Sequence, residues 1–197
     1  MGKIYYLMGK SASGKDTIFK RLYKECPRTK VIITYTTRTI RDYEQHGREY
    51  YFVDEEVIEE YRRQGKLIEM RTYNTMEGRW VYATIDDGSV NLESRNYLLI
   101  GTLDSYIKIR EHFGAENVVP IYIELDDGIR LQRALNRELM RTVPKYSEMC
   151  RRFLADEKDF SPERLAAAGI TVKYINEDLN KCILEIKKVM GIKIKDE

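Results

Sequence analysis

The chain opens on an unbroken apolar run, Ile4-Tyr5-Tyr6-Leu7-Met8, which predicts a strand buried on both faces. A glycine-rich turn follows at once. Ile18, Phe19, Leu22, Tyr23 and Cys26 then recur at helical spacing until Pro27 stops the helix. Val31-Ile32-Ile33 predicts a short strand, and Asp54 is placed to cap a helix through Arg63, with Gly65 just past its end. Tyr97-Leu98-Leu99-Ile100 predicts another buried strand, and Asp104 a cap for a helix ending near Phe113-Gly114. Residues 118–123 read as a strand and 128–140 as a helix; Ser161-Pro162-Glu163 is a helix start with Pro at the first helical position. A strand over 170–175 and a helix over 177–190 close the chain. Strands spaced by helices predict an α/β fold, a parallel sheet with helices on both faces. Residues 34–86 break that rhythm; they are polar and rich in Tyr, Arg and Glu, which predicts an inserted subdomain.

Composition narrows the function classes. Of 197 residues, 34 are Lys or Arg and 32 Asp or Glu, a net charge of +2, so no bulk charge argues for nucleic acid or a membrane surface as partner. No apolar run approaches the ~18 residues of a membrane span, so neither a transmembrane helix nor a signal peptide is expected. Cys26, Cys150 and Cys182 lie far apart with no CxxC spacing, which predicts neither disulfides nor a zinc site and fits a reducing cytoplasm. His46 and His112 lack metal-like spacing and read as ordinary surface or loop residues.

The sharpest local signal is Gly9-Lys10-Ser11-Ala12-Ser13-Gly14-Lys15, the G-x-x-x-x-G-K of a P-loop, placed between a strand and a helix. Glycines let main-chain N–H groups turn inward as a nest for phosphate oxygens. The helix N-terminus adds partial positive charge, and Lys15 reaches the terminal phosphates of a nucleoside triphosphate as a point charge. Thr17 and Asp16 follow in the helix's first turn. Asp16 stands where a Ser or Thr usually holds Mg²⁺; it is either a metal ligand or a first-turn acid stabilising the helix dipole. The basic run 137–152, with Arg137, Arg141, Lys145, Arg151 and Arg152, is either a solvated helical face or a phosphate-facing lid.

Downstream stand Thr36-Thr37-Arg38, Arg41, Glu44, Gly47, Tyr50 and Phe52, then Leu67-Ile68-Glu69, Tyr82-Ala83-Thr84 and Asn176-Glu177-Asp178. This ordered series resembles the guanylate kinase family, with its T-T-R-x-x-R-x-x-E-x-x-G-x-x-Y-x-F acceptor signature, across nearly the whole chain. The resemblance implies a P-loop NTPase-type core with an inserted nucleotide-monophosphate-binding subdomain and a helical lid. It places the core at 1–33, 87–135 and 158–197, the GMP-binding subdomain at 34–86 and the lid at 136–157. It implies ATP and GMP as substrates, Mg²⁺ as cofactor, and γ-phosphoryl transfer giving ADP and GDP.

Carried onto this chain, the resemblance assigns ATP to Gly9, Lys10, Ser11, Ala12, Ser13, Gly14, Lys15, Asp16 and Thr17, with Asn176 at the adenine. It assigns GMP to Thr34, Arg38, Arg41, Tyr50, Glu69, Tyr82 and Thr84, and the transferring group to Lys15, Arg38, Arg41, Arg137 and Arg151, with Arg152 as an alternative to Arg151. The residues support this chemistry on their own. Arg38 and Arg41 are rigid forks suited to a second phosphate, and a carboxylate at Glu69 can accept from guanine N1–H and N2 but finds no such donor pair on adenine. Alternatives are a P-loop kinase for another nucleoside monophosphate, or a silent binding module of the same build.

Two departures stand out. Ile100 and Thr102 occupy positions where the family carries strand-end aspartates, and the stretch Met76-Glu77-Gly78-Arg79-Trp80-Val81 is longer than the family's. The first suggests that Asp16 replaces a lost metal contact. The second points to Arg79 and Trp80 as residues that reshape the acceptor pocket.

Overall fold

The computed structural model describes residues 1–75 and 78–192. Its larger sheet is wholly parallel and contains β1 (Ile4–Met8), β2 (Thr29–Val31), β7 (Asn96–Ile100), β8 (Val118–Glu124) and β9 (Lys173–Ile175), in the order β2-β7-β1-β8-β9. β1 lies in the middle, and its two side-chain rows bury in two cores. Tyr5 and Leu7 pack with Ile18 and Leu22 of α1 (Lys15–Glu25) and with Ile183 and Ile186 of α7 (Leu179–Val189). Ile4, Tyr6 and Met8 pack with Tyr106 and Ile109 of α3 (Leu103–Phe113) and with Leu165 of α6 (Pro162–Ala167). Both faces being covered explains why the run has no polar alternation.

Residues 35–85 build a second sheet, order β4-β3-β6-β5, from β3 (Tyr35–Thr36), β4 (Tyr51–Phe52), β5 (Leu67–Thr75) and β6 (Gly78–Ile85). β5 and β6 pair antiparallel, with Glu69 opposite Thr84, Arg71 opposite Tyr82 and Tyr73 opposite Trp80. Opposed residues share a face, so these six side chains line one side of the hairpin. The other side presents Val81, Ala83 and Ile85 to Ile58 of α2 (Glu55–Arg63). Complete burial of a side chain like Ile58 contributes about 1.5–3 kcal/mol. Arg79 lies on that helix side and pairs with Glu55, so of the two residues expected to reshape the acceptor pocket only Trp80 is on its face. Met76 and Glu77 of the same stretch lie outside the described residues.

Several ends differ from the sequence expectation. Ile33 lies beyond β2, and only Lys173–Ile175 of the expected 170–175 strand pairs with β8. The cap of α3 is Thr102, whose hydroxyl accepts from Ser105 N; Asp104 sits two residues later in the first turn and pairs with Arg164. The closing helix starts after Asp178, whose carboxylate accepts from Lys181 N. The two helix starts share a cause, since short polar side chains compete for each cap and only the folded geometry selects one. Two further helices, α4 (Asp127–Leu139) and α5 (Tyr146–Asp159), and the turn between them carry the basic run. Among the described residues no helix is long and apolar enough to cross a membrane. The loops after β1, β7, β8 and β9 all leave the carboxyl edge of the parallel sheet, where open α/β sheets bind ligands.

Candidate active site

The turn between β1 and α1 is a tight main-chain loop with little room for side chains. Gly14 caps α1 at φ 88°, and a Cβ there would stand 2.3 Å from Asn176 Nδ2. A Cβ on Gly9 would meet Ile123 O at 2.5 Å. Ala12 is also left-handed, at φ 61°. Residues of alternating hand turn consecutive amides to one side, which suits an anion. Asn176 is buried and donates to Ser13 O at 2.7 Å, so its amide braces the loop. Its Oδ1 and Ser13 Oγ are buried with no hydrogen-bond partner among the described residues. Lys15 makes no ion pair among those residues, and Asp16 and Thr17 are exposed in the first helical turn.

Helices α4 and α5 reach onto this loop. Ser11 N donates to Asp156 Oδ2 at 2.6 Å, and the fully buried Arg130 donates from Nε to Ser11 O at 3.0 Å and from Nη2 to Asp156 at 3.1 Å. Arg130 also pairs with Asp127, and its guanidinium lies 4.8 Å from the Phe153 ring centre. Lys10 Nζ lies 2.5 Å from Glu157, so its charge is directed at acids of this strap. Arg137 is exposed. Arg151 and Arg152 both hold Glu148, each at 2.7 Å. Those bonds, Arg151's first, draw the Glu148 carboxyl down to about 2.

The lined face of the hairpin forms the opposite wall. Arg38 donates to both oxygens of Glu44, at 3.0 and 2.8 Å, and from Nε to Tyr82 Oη at 3.2 Å; it lies 5.5 Å from the Tyr50 ring centre. Burial pushes the Glu44 carboxyl up, but the Arg38 hydrogen bonds and the Arg41 amide outweigh it and the net shift is down. The Arg41 side chain makes no hydrogen bond among the described residues, and neither does the buried Thr34 hydroxyl. Glu69 is buried, accepting from Thr84 Oγ1 at 2.7 Å and from Arg71 Nε and Nη2 at 3.0 and 3.2 Å. Arg71 Nη1 reaches Thr102 Oγ1 at 3.4 Å, across to the end of β7.

Tyr50 ties the two walls electrostatically. Burial raises its phenol pKa most, Tyr82 adds to that, Arg38 and Arg71 oppose it, and Asp16 of α1 raises it again. The structure brings Arg38, Tyr50, Tyr82, Glu69 and Thr84 into one wall, with Tyr50 within electrostatic reach of Asp16 on the loop's helix. Arg137 is left in the open, and Lys10 and Arg151 are held by acids. Sequence reasoning missed Arg71, Arg130 and Asp156. Arg71 could have been found from its period-2 spacing to Glu69, whereas nothing in the sequence marks the packing of α5 on the loop.

Among the described residues no three His, Cys, Asp or Glu side chains gather as a metal cage. Ile100 and Thr102 leave the β7 end without an acid, so Asp16 is the carboxylate nearest the loop's mouth on α1. One carboxylate suits Mg²⁺, which retains waters and takes most remaining ligands from phosphate oxygens.

The guanylate kinase family model matches residues 1–96. A guanylate kinase of Oleidesulfovibrio alaskensis is 44% identical over 68 residues, a stretch spanning 34% of this chain and 33% of that protein. The human guanylate kinase is 26% identical over 190 residues, 96% of this chain and 92% of its own. The crystal structure of guanylate kinase from Anaplasma phagocytophilum superposes with a TM-score of 0.64 at 22% identity, covering 96% of this chain and 85% of that one, which shows a common fold. The glycine loop and the arginine signature both lie inside the region that the guanylate kinase family model matches, and the likeness to guanylate kinases extends along nearly the whole chain.

Proposed function

We propose that the chain is a guanylate kinase, moving the γ-phosphoryl group of ATP to GMP and releasing ADP and GDP. The observation that carries this reading is a hairpin face on which Tyr82, packed with Arg38 and Tyr50 into an arginine–tyrosine cluster, and a buried Glu69–Thr84 pair stand together. The cluster suits an acceptor phosphate, and the acid suits a base that offers adjacent N–H donors.

The acceptor phosphate is already ionised near neutral pH, so no side chain has to remove a proton. The chain's part is to position the reactants and offset their charge. The loop amides cradle the donor phosphates and Lys15 approaches the terminal ones. Arg38, oriented by Glu44, and Arg41 hold the acceptor. Asp16 would hold Mg²⁺, which would supply positive charge to offset that of the donor phosphates. Closing α4 and α5 would bring Arg137 and Arg151 or Arg152 toward the transferring group and exclude water. On this reading residues 34–86 are the acceptor subdomain and 136–157 the lid. Free thiols at Cys26, Cys150 and Cys182 accord with a cytoplasmic setting.

A coupled ADP-release assay across GMP, dGMP, AMP, UMP and CMP tests the reading. Turnover with GMP far above the pyrimidines and AMP is expected. Preference for another base, or no turnover at all, would overturn it.

A further inference from the structure

Arg71 sits where the acceptor base would be read, and no assignment so far uses it. Its side chain is one-fifth exposed beside a Glu69 side chain that is almost wholly buried. Nε and Nη2 form a side-on fork to the Glu69 carboxylate, and Nη1 leans on Thr102 Oγ1 at 3.4 Å. A guanidinium has five N–H donors. These contacts use one on each nitrogen, so one donor on Nη1 and one on Nη2 remain, forming the end-on edge. Glu69 is the reverse case. Of about four acceptor sites on a carboxylate, two are used by Arg71 and one by Thr84.

The arithmetic constrains any base that docks on Glu69. A guanine offering both N1–H and N2–H needs two acceptor sites, so one of the chain's own donors has to yield. Thr84 is fixed opposite Glu69 by the strand register, whereas Arg71 is a long side chain with a second partner in Thr102 to turn toward. A cation left beside the carboxylate then faces the base's 6-position. In a 6-oxopurine that atom is an acceptor next to N1–H. In a 6-aminopurine it is a donor next to an N1 lone pair, which mismatches both Glu69 and Arg71.

We propose that Arg71 and Glu69 form a composite base reader. Glu69 accepts from N1–H and the 2-amine, and Arg71 gives up Nε–Oε2 and turns its Nη edge to O6, with N7 as the second acceptor. Arg71 is thereby a specificity-determining residue for 6-oxopurine monophosphates. A two-pronged arginine contact to O6 and N7 is a common way for proteins to distinguish guanine. This inference rests on the guanylate kinase reading and deepens it.

The test compares wild type, Arg71→Ala and Arg71→Lys with GMP, IMP and AMP at saturating ATP. Inosine monophosphate keeps O6 and N1–H but lacks the 2-amine, so it isolates the Arg71 contact. Arg71→Ala is expected to lower kcat/KM for GMP and IMP by a similar factor of about 10- to 100-fold, mainly through KM, while AMP is unchanged or improved. Arg71→Lys keeps a cation for Glu69, and with it the fold, but a point donor cannot serve two acceptors. It should show an intermediate loss at an unchanged melting temperature. An equal fall for all three nucleotides would reduce Arg71 to a structural support of Glu69 and overturn the proposal. Tighter GMP binding in Arg71→Ala would make Arg71 a plug that the base evicts, and would also overturn it. Failure of the guanylate kinase reading shows separately, as absent GMP turnover in the wild type.

Discussion

Glu44 holds two parts of the acceptor signature at once, pairing with the Arg38 guanidinium and accepting the Arg41 amide. Both charges of the Arg38–Glu44 pair are almost fully buried, so removing one leaves the other without compensation. Glu44→Gln should cost about 3 kcal/mol or more, read as a fall in melting temperature, and should raise KM for GMP. The pH dependence follows from the sign of its shift. In the fold the Glu44 carboxyl titrates below its ordinary value of 4.5, so its stabilising contribution is complete above that value. It is lost as pH falls through the folded pKa. The gap in melting temperature between wild type and Glu44→Gln should therefore be widest near neutral pH and close in acid; a gap independent of pH would contradict the pairing. At Asp16 the expected effect is on the cation. Asp16→Ala should raise the Mg²⁺ concentration for half-maximal rate far more than it changes KM for GMP, and an unchanged Mg²⁺ requirement would leave Asp16 as a first-turn acid that stabilises the helix dipole.

At the scale of elements, α5 is the least expected partner of the loop. Asp156 accepts the Ser11 amide and thus occupies one of the main-chain donors that a triphosphate would want. Asp156→Ala should lower KM for ATP several-fold, as measured by titration calorimetry and kinetics; weaker ATP binding would show instead that the carboxylate serves to order the loop. Arg130 keeps Asp127 and Ser11 O in that variant, so its burial remains compensated. The contrast with β1 shows what a sequence can convey. Ile4–Met8 and the helix after Gly14 were legible because burial on two faces, and a loop that tolerates no Cβ, each leave a local pattern. Asp156 on Ser11 was not, because it joins positions 145 residues apart, and Thr102 as a cap and Arg71 on Glu69 are local choices that only the folded geometry selects among competing polar side chains. The acceptor signature, from Arg38 to Phe52, lay between these extremes. Its residue types pointed to an anion site, but only the β5–β6 register shows that Tyr82, Arg71 and Glu69 share its face.

At the scale of the molecule, two sheets carry the two halves of the site, and the lid helices border both. The Tyr73 phenol of the hairpin adds to the upward shift of Arg151, after the larger effect of Glu148, which places α5 within electrostatic reach of β5. Binding both nucleotides should draw these parts together. Small-angle scattering is expected to show a smaller radius of gyration with a non-hydrolysable ATP analogue plus GMP than with either alone. Identical profiles in all states would mean that the unliganded molecule is already closed.

The clasp between Asn176 and Ser13 joins positions 163 residues apart. A ribosome delivers the glycine loop well before the residue that steadies it. The strand before Asn176 must also find its place beside β8 before that amide can reach Ser13. A nascent chain halted short of residue 172 would thus carry the whole glycine motif yet hold triphosphate poorly, and competence for the donor nucleotide would arise only once the strand that leads to Asn176 has been made and has paired with β8.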